Sequence, residues 1–203
     1  RISGQSLDEY LSKEFYQPLG LKFTCFNPRK NKVVKEIAPS EYDDYFRYQT
    51  IQGYVPDMGA AMFGGVSGHA GLFSTAEELG IIFQMLLNGG IYQGKRYFKP
   101  ATVELFTGKF SRISRRGLGF DKPETRAGVG NPCSDQASRS TFGHQGFTGT
   151  CVWADPETDL VFVFLSNRTY PSADNKLINS LDVREKAQSM IYTALGIAGK
   201  PRH

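Results

Sequence analysis

Two runs rich in β-branched and aromatic residues, 150–154 and 160–166, stand either side of Asp155-Pro156-Glu157-Thr158-Asp159. This pairing constrains the chain more than any other feature. Turn chemistry between two such runs predicts an antiparallel hairpin. Gly143, Gly146 and Gly149 bracket its entry, and His144 lies among them. Glycines so spaced let backbone approach another group closely, as an edge presenting N–H groups to a carbonyl requires. The stretch therefore points to acyl-transfer chemistry.

The chain has 203 residues, 40% of them hydrophobic and 13% aromatic, enough for a real core in one domain over residues 1–203. No run of apolar residues approaches the length of a membrane span, so none is expected. The first residues carry neither an initiator Met nor a signal-peptide core, which leads us to expect a chain cut from something longer. The net charge of +4 is scattered. Its densest groups, Arg29-Lys30-Asn31-Lys32 and residues 112–116, read as solvated loops, and no nucleic-acid partner is expected. Cys25, Cys133 and Cys151 form no Cys-x-x-Cys pair and are odd in number. Neither a metal site nor a disulfide framework follows from them, and the redox compartment stays open.

Helix and strand signals alternate along the chain. Ser6-Leu7-Asp8-Glu9 has capping-box form, with Leu7, Tyr10, Leu11 and Phe15 on one helical face before Pro18 and Gly20. Residues 27–52 show no sustained period and read as an irregular excursion, a candidate cleft wall. Thr75-Ala76-Glu77-Glu78 is a second capping box; Leu79, Ile82, Phe83, Leu86 and Leu87 follow at helical spacing until Asn88-Gly89-Gly90. Pro100 opens a short helix, residues 117–120 are a candidate strand, and Val183, Ala187, Met190, Ile191, Ala194 and Leu195 line one face of a closing helix.

Three phrases in this order carry a resemblance: Gln17-Pro18-Leu19-Gly20-Leu21; Gly68-His69-Ala70-Gly71-Leu72-Phe73-Ser74-Thr75; and Gly143-His144-Gln145-Gly146-Phe147-Thr148-Gly149, with Asp155-Pro156 and Asn167-Arg168 behind. They resemble landmarks of the class C β-lactamase and penicillin-binding-protein-like serine hydrolases. More narrowly, they are similar to the serine-hydrolase domain fused to some bacterial β-N-acetylglucosaminidases. The resemblance implies an α/β (α+β) fold, an antiparallel sheet backed by helices, present as the C-terminal portion of the β-lactamase or transpeptidase-like architecture.

Members of that family use a Ser-x-x-Lys helix, a Tyr-x-Asn loop and a Lys-Thr-Gly or His-x-Gly strand. No Ser here is followed three positions on by Lys, and no Tyr two positions on by Asn. His144-Gln145-Gly146 matches the third motif, and the Phe147 N–H takes the place of one oxyanion donor. The resemblance thus implies His144, Gly146 and Phe147 as catalytic elements, Gln145 and Asp57 as substrate-contacting candidates, and no metal or organic cofactor. It also implies an ester, amide or muropeptide substrate, a periplasmic or cell-envelope location, and a nucleophile on a preceding part of the polypeptide, with a glycosidase domain as one candidate. On that account residues 1–203 alone are inactive, and their uncovered core surface is a candidate for self-association. A non-catalytic module binding cell-wall peptide or glycan is the alternative, and a structural or dimerising domain the third.

Other conspicuous residues have simpler readings. His69, between Gly68 and Ala70, anchors a tight turn; Ser74 and Thr75 cap a helix; Trp153, Phe162 and Phe164 are core. Where fused relatives show Val-His-Asp, this chain has Val55-Pro56-Asp57, and proline removes a titratable side chain and a backbone donor. The Gln145 side chain should alternate to the other face of its strand from His144.

Overall fold

The computed structural model describes residues 2–31, 36–126 and 128–197. The chain divides into two compact units, one of Arg1–Leu79 with Asn167–Asn175, the other of Gly80–Ser166 with Lys176–His203.

In the first unit, helix α1 (Leu7–Leu11) continues as one π-helical turn, Ser12–Tyr16. The Glu9 carboxylate accepts from Ser6 N at 3.2 Å, the back-reach expected of a capping box. The π turn is closed by Gln17 N donating to Ser12 O, which shifts the helical phase. Tyr16 is consequently buried, while Leu7 and Tyr10 of the expected apolar face stay exposed. Strand β1 (Cys25–Phe26) precedes a 3-10 turn, Pro28–Asn31; the Lys32 end of that basic cluster lies outside the described residues. The segment expected to be irregular contains a hairpin of β2 (Glu41–Asp43) and β3 (Gln49–Ile51). Asp43 organises it: its carboxylate accepts from Tyr45 N, Phe46 N and, at 2.8 Å, Arg47 Nε. Arg47 in turn donates to the carbonyls of Val55 and Pro56. Short helix α2 (Met58–Met62) and strand β4 (Leu72–Phe73), antiparallel to β1, lead into helix α3 (Ala76–Leu87). Thr75 Oγ1 caps α3 by accepting from Glu78 N. Glu78 does not complete the expected capping box, because its buried carboxylate instead accepts from Lys22 N, Phe23 N and Thr24 Oγ1.

The second unit holds a small hairpin of β5 (Ile91–Tyr92) and β6 (Lys95–Arg96), then α4 (Pro100–Thr107) with proline in its first turn. Its centre is an antiparallel sheet of β7 (Phe142–Gln145), β8 (Cys151–Asp155) and β9 (Leu160–Phe164), in the order β7-β8-β9. The expected hairpin is β8–β9, with Trp153 opposite Phe162. The middle strand is buried on both faces. Trp153 and Cys151 pack with Phe162 and Cys133, and Ala154 packs with Phe83 and Phe142. The strand expected at 117–120 does not form, because Gly117 N donates to Phe120 O and Gly119 takes φ +93°, closing a turn. Asp121, one residue on, makes a single bridge to Gly143.

Helices α5 (Leu177–Ser180) and α6 (Val183–Ala194) close the unit. The length of α6 agrees with its periodicity, but its buried face does not. Arg184, Gln188 and Tyr192 are buried at i, i+4 and i+8, while Met190 of the expected apolar stripe is 73% exposed. Hydrogen bonding explains the inversion: Gln188 Oε1 accepts from Ser134 N, and Tyr192 Oη donates to Asp155 at 2.7 Å. Ala187 is the member of the apolar stripe that packs against the core around Trp153. No described helix is long and apolar enough to cross a membrane.

Asp155 is buried and accepts from Ser138 N, Ser138 Oγ, Glu157 N and Tyr192 Oη. Burial pushes its carboxyl up, but these donors, Ser138 foremost, outweigh burial and hold it below the usual aspartate range. A depressed folded pKa contributes stability that is complete above the unfolded value, about 4, and is lost as pH falls through the folded value. Asp155→Asn should therefore cost about 2–3 kcal/mol at neutral pH. Urea titrations should show the gap to wild type narrowing below about pH 4; a gap independent of pH would remove Asp155 from this role.

Candidate functional site

Strand β7 follows from a simple alternation. Phe142 turns one way, into an aromatic cluster 6.1 Å from Phe83 and 5.3 Å from Phe120 between ring centroids, and His144 follows on the same face at the exposed end. Gly143 and Gln145 turn the other way. A Cβ at Gly143 would overlap Val152 O and the Trp153 side chain, and one at Gly146 would overlap Thr150 Oγ1. The close approaches these glycines permit are thus made to the chain's own neighbouring strand and turn. On its outer side Gly143 exchanges two backbone hydrogen bonds with Asp121, at 2.7 and 3.0 Å.

His144 is exposed and held at both ring nitrogens. Nδ1 lies 2.7 Å from Gln145 O, and Nε2 lies 2.8 Å from Arg116 Nη1. A carbonyl can only accept and a guanidinium can only donate, so the proton sits on Nδ1 and Nε2 is the acceptor. Arg116 also lies 3.6 Å from Asp121, which is buried and gripped by the Arg115 fork at 2.7 and 2.8 Å. Burial pushes the Asp121 carboxyl up, but the Arg115 hydrogen bonds and charge more than reverse this and keep it ionised. Residues 115 and 116, expected on a solvated loop, are therefore tied to the β7 edge. Nothing in the local pattern around Arg116 announces a partner 28 residues on; Asp121 and its bridge to Gly143 supply the link.

The remaining candidates are placed as follows. Gln145 spends both amide N–H donors, on Pro132 O at 2.6 Å and Glu185 Oε1 at 2.7 Å, on the opposite face from His144. Beyond the strand, Gly146 N donates to Thr150 O and Gly149 N to Gly146 O, so Phe147 lies within a tight turn and is 68% exposed. Asp57 belongs to the first unit, where its Oδ1 caps α2 through Ala60 N at 2.7 Å and lies 3.0 Å from His69 Nε2. Its carboxyl is held below the usual range by the Ala60 N–H first and by His69 next. A cavity of about 450 Å³ in the second unit is lined by Lys109, Lys122, Pro123, Thr125 and Arg139, none of which belongs to the β7 edge. Lys122 Nζ is committed there to the carbonyls of Thr107, Ser140 and Thr141. Among the described residues, no group of three or more His, Cys, Asp or Glu could hold a metal ion.

The chain is 37% identical over 186 residues to a protein of Escherichia coli K12 named as a candidate D-alanyl-D-alanine carboxypeptidase, covering 85% of this chain and 43% of that protein. A Salmonella newport protein of the same name is 35% identical over 190 residues. The chain thus spans less than half the length of the curated relatives it matches. Among solved structures it is similar to a β-lactamase from Mycobacterium bovis, with a TM-score of 0.61 at 19% identity over 95% of this chain and 57% of that one. A penicillin-binding-protein homologue from Caulobacter crescentus gives a TM-score of 0.56 at 20% identity, over 82% and 48% of the two chains. At such identities these two structures show the fold, a mixed α/β one with antiparallel sheets, of the β-lactamase and transpeptidase type. The family model described as Beta-lactamase matches residues 1–184, and with the curated relatives it establishes that this chain belongs to the β-lactamase family.

Proposed function

We propose that residues 1–203 are the C-terminal portion of a serine hydrolase domain that cleaves ester or amide carbonyls of cell-wall peptides in the bacterial envelope. The observation that carries the reading is the match over 85% of this chain but 43% of a relative named for carboxypeptidase activity. A serine on the preceding part of the polypeptide attacks the carbonyl carbon, the amine or alcohol departs with a proton, and water then releases the acyl group. Residues 144–147 face the reacting carbonyl, with His144 orienting the substrate and the Phe147 N–H stabilising the oxyanion. Arg116 holds the His144 ring in place and adds a cation beside it. Exposed apolar side chains, among them Phe106, Phe110 and Ile113 in the second unit and Tyr45 and Met62 in the first, are surfaces that the rest of the domain, or a second copy of the chain, would cover. A preceding glycosidase domain fits the same reading. A module that binds cell-wall peptide without cleaving it is the second reading, and absence of Ser-x-x-Lys and Tyr-x-Asn from the preceding part of the polypeptide would favour it.

Residues 1–203 alone should give no burst with nitrocefin and no penicillin adduct, since loss of a nucleophile removes a factor on the order of 10⁶ in a serine hydrolase. A longer polypeptide carrying the preceding residues should form the adduct on a serine outside 1–203 and release the terminal residue of a D-alanyl-D-alanine peptide. A penicillin adduct inside 1–203 overturns the placement of the nucleophile. A longer polypeptide carrying both missing motifs that binds the peptide without cleaving it sustains the second reading.

In that longer polypeptide, His144→Ala should lower kcat/KM by roughly a hundredfold while penicillin labelling persists. Arg116→Gln should lower it by a smaller factor, because the ring stays present but loses its hold on Nε2. Unchanged kinetics in both variants would take the β7 edge out of the reaction.

A further inference from the structure

Outside the β7 edge, one group of side chains in the first unit has the makings of a reactive site. Ser67 Oγ lies 2.7 Å from His69 Nδ1, and His69 Nε2 lies 3.0 Å from Asp57 Oδ1. Asp57 is ionised, its carboxyl held down by the Ala60 N–H and by His69, and a carboxylate can only accept. Nε2 must therefore carry the ring proton. In the neutral ring Nδ1 is then the lone pair, and the Ser67 hydroxyl is the donor to it. The chain of hydrogen bonds runs hydroxyl to imidazole to carboxylate, the order in which a histidine takes a proton from an attacking oxygen.

The surroundings hold this arrangement in place and leave it open. Asp57 is fixed by its second task as the cap of α2. Gly59 leaves room beside the pair, since a Cβ there would lie 3.2 Å from Asp57 Oδ1 and 3.9 Å from His69 Nε2. The loop carrying Ser67 and His69 is bounded by Gly65 at φ +82° and Gly71 at φ +110°, and Asn27 Nδ2 ties it down by donating to Gly64 O at 2.9 Å. The His69 and Asp57 side chains are 59% and 45% exposed and Ser67 is half-buried, which leaves its hydroxyl partly open to an electrophile.

We infer that Ser67 is a second, His69-activated acceptor site that takes one acyl or phosphonyl group from donors with good leaving groups, such as aryl esters or fluorophosphonates. With a fluorophosphonate the Ser67 oxygen attacks phosphorus, a P–O bond forms, the P–F bond breaks and fluoride departs. The hydroxyl proton passes to His69 Nδ1 and from there to solvent. This inference goes beyond the proposed function: it needs neither turnover nor the preceding part of the polypeptide, and its label falls on a serine that penicillin should leave unmodified.

The test treats residues 1–203 with a reporter fluorophosphonate and maps the adduct by mass spectrometry. Ser67 should carry it in at most one-to-one amount, Ser67→Ala should abolish it, and His69→Gln should slow it by about a hundredfold or more, the low side of the contribution of a general base. Asp57→Asn, which keeps a good helix cap, should slow it by a smaller factor. Long-range ¹⁵N–¹H spectra of the unmodified protein supply a readout that no misfolded variant can confuse, and should show His69 protonated on Nε2. Labelling spread evenly over several serines, a rate unchanged in His69→Gln, or a proton on Nδ1 of His69 would each overturn the inference.

Discussion

A buried carboxylate at the end of β8 ties together the parts of the second unit that place the His144 edge. Removing Asp155 from water costs several kcal/mol before its partners are counted. The four donors around it come from three segments: Ser138 ahead of β7, Glu157 in the hairpin turn, and Tyr192 on α6. Leaving the site would strand a charge, so these segments stay together. The approach to β7 gains a second buried charge in Lys122, whose ammonium donates to the carbonyls of Ser140 and Thr141, immediately before the strand, and to Thr107 at the end of α4. Burial lowers the affinity of that amine for its proton, which makes the three carbonyl partners the condition for keeping it charged.

That ionic frame explains why a strand only four residues long can hold a histidine in one orientation. Phe142 is anchored in an aromatic cluster, Gly143 lies opposite Trp153 on one side and is hydrogen-bonded to Asp121 on the other, and the next residue is His144, with no slack between them. Arg115 and Arg116 extend the frame outward from Asp121, one locking the carboxylate and the other reaching the ring. The imidazole is therefore oriented from two directions, by its neighbour's carbonyl and by a guanidinium whose own position depends on a buried aspartate.

Much of this was legible in the sequence where the physics is local. The β8–β9 hairpin could be read because alternation and turn chemistry lie within one short stretch, and α3 because a capping threonine and a run at helical spacing point the same way. Reading by apolar periodicity failed where polar groups are buried through distant partners. In α6 the core-facing residues are Arg184, Gln188 and Tyr192, and a search for apolar periodicity selects the other side of the helix. Glu78 fits a capping box, yet its carboxylate serves two backbone N–H groups and a threonine hydroxyl 54–56 residues earlier in the chain. The candidate site divides in the same way. His144 and Gly146 are legible from the resemblance, while the Arg116 contact depends on a loop closed by Gly117 and Gly119, which no local signal connects to the strand.

The two histidines show how hydrogen-bond partners, rather than residue type, decide what an imidazole can do. His144 donates from Nδ1 to a carbonyl and accepts at Nε2 from a cation, so no basic lone pair is left facing a hydroxyl unless Arg116 yields its place. As arranged, it can position and polarise. His69 has the converse pattern, a carboxylate on Nε2 and a hydroxyl on Nδ1, the arrangement in which an imidazole can accept a proton from Ser67 as its oxygen attacks. A reaction that draws a proton toward the β7 edge must therefore either move Arg116 or use a base from outside this chain. The latter is what the proposed function requires, with nucleophile and base on the preceding polypeptide and the β7 edge supplying orientation and charge.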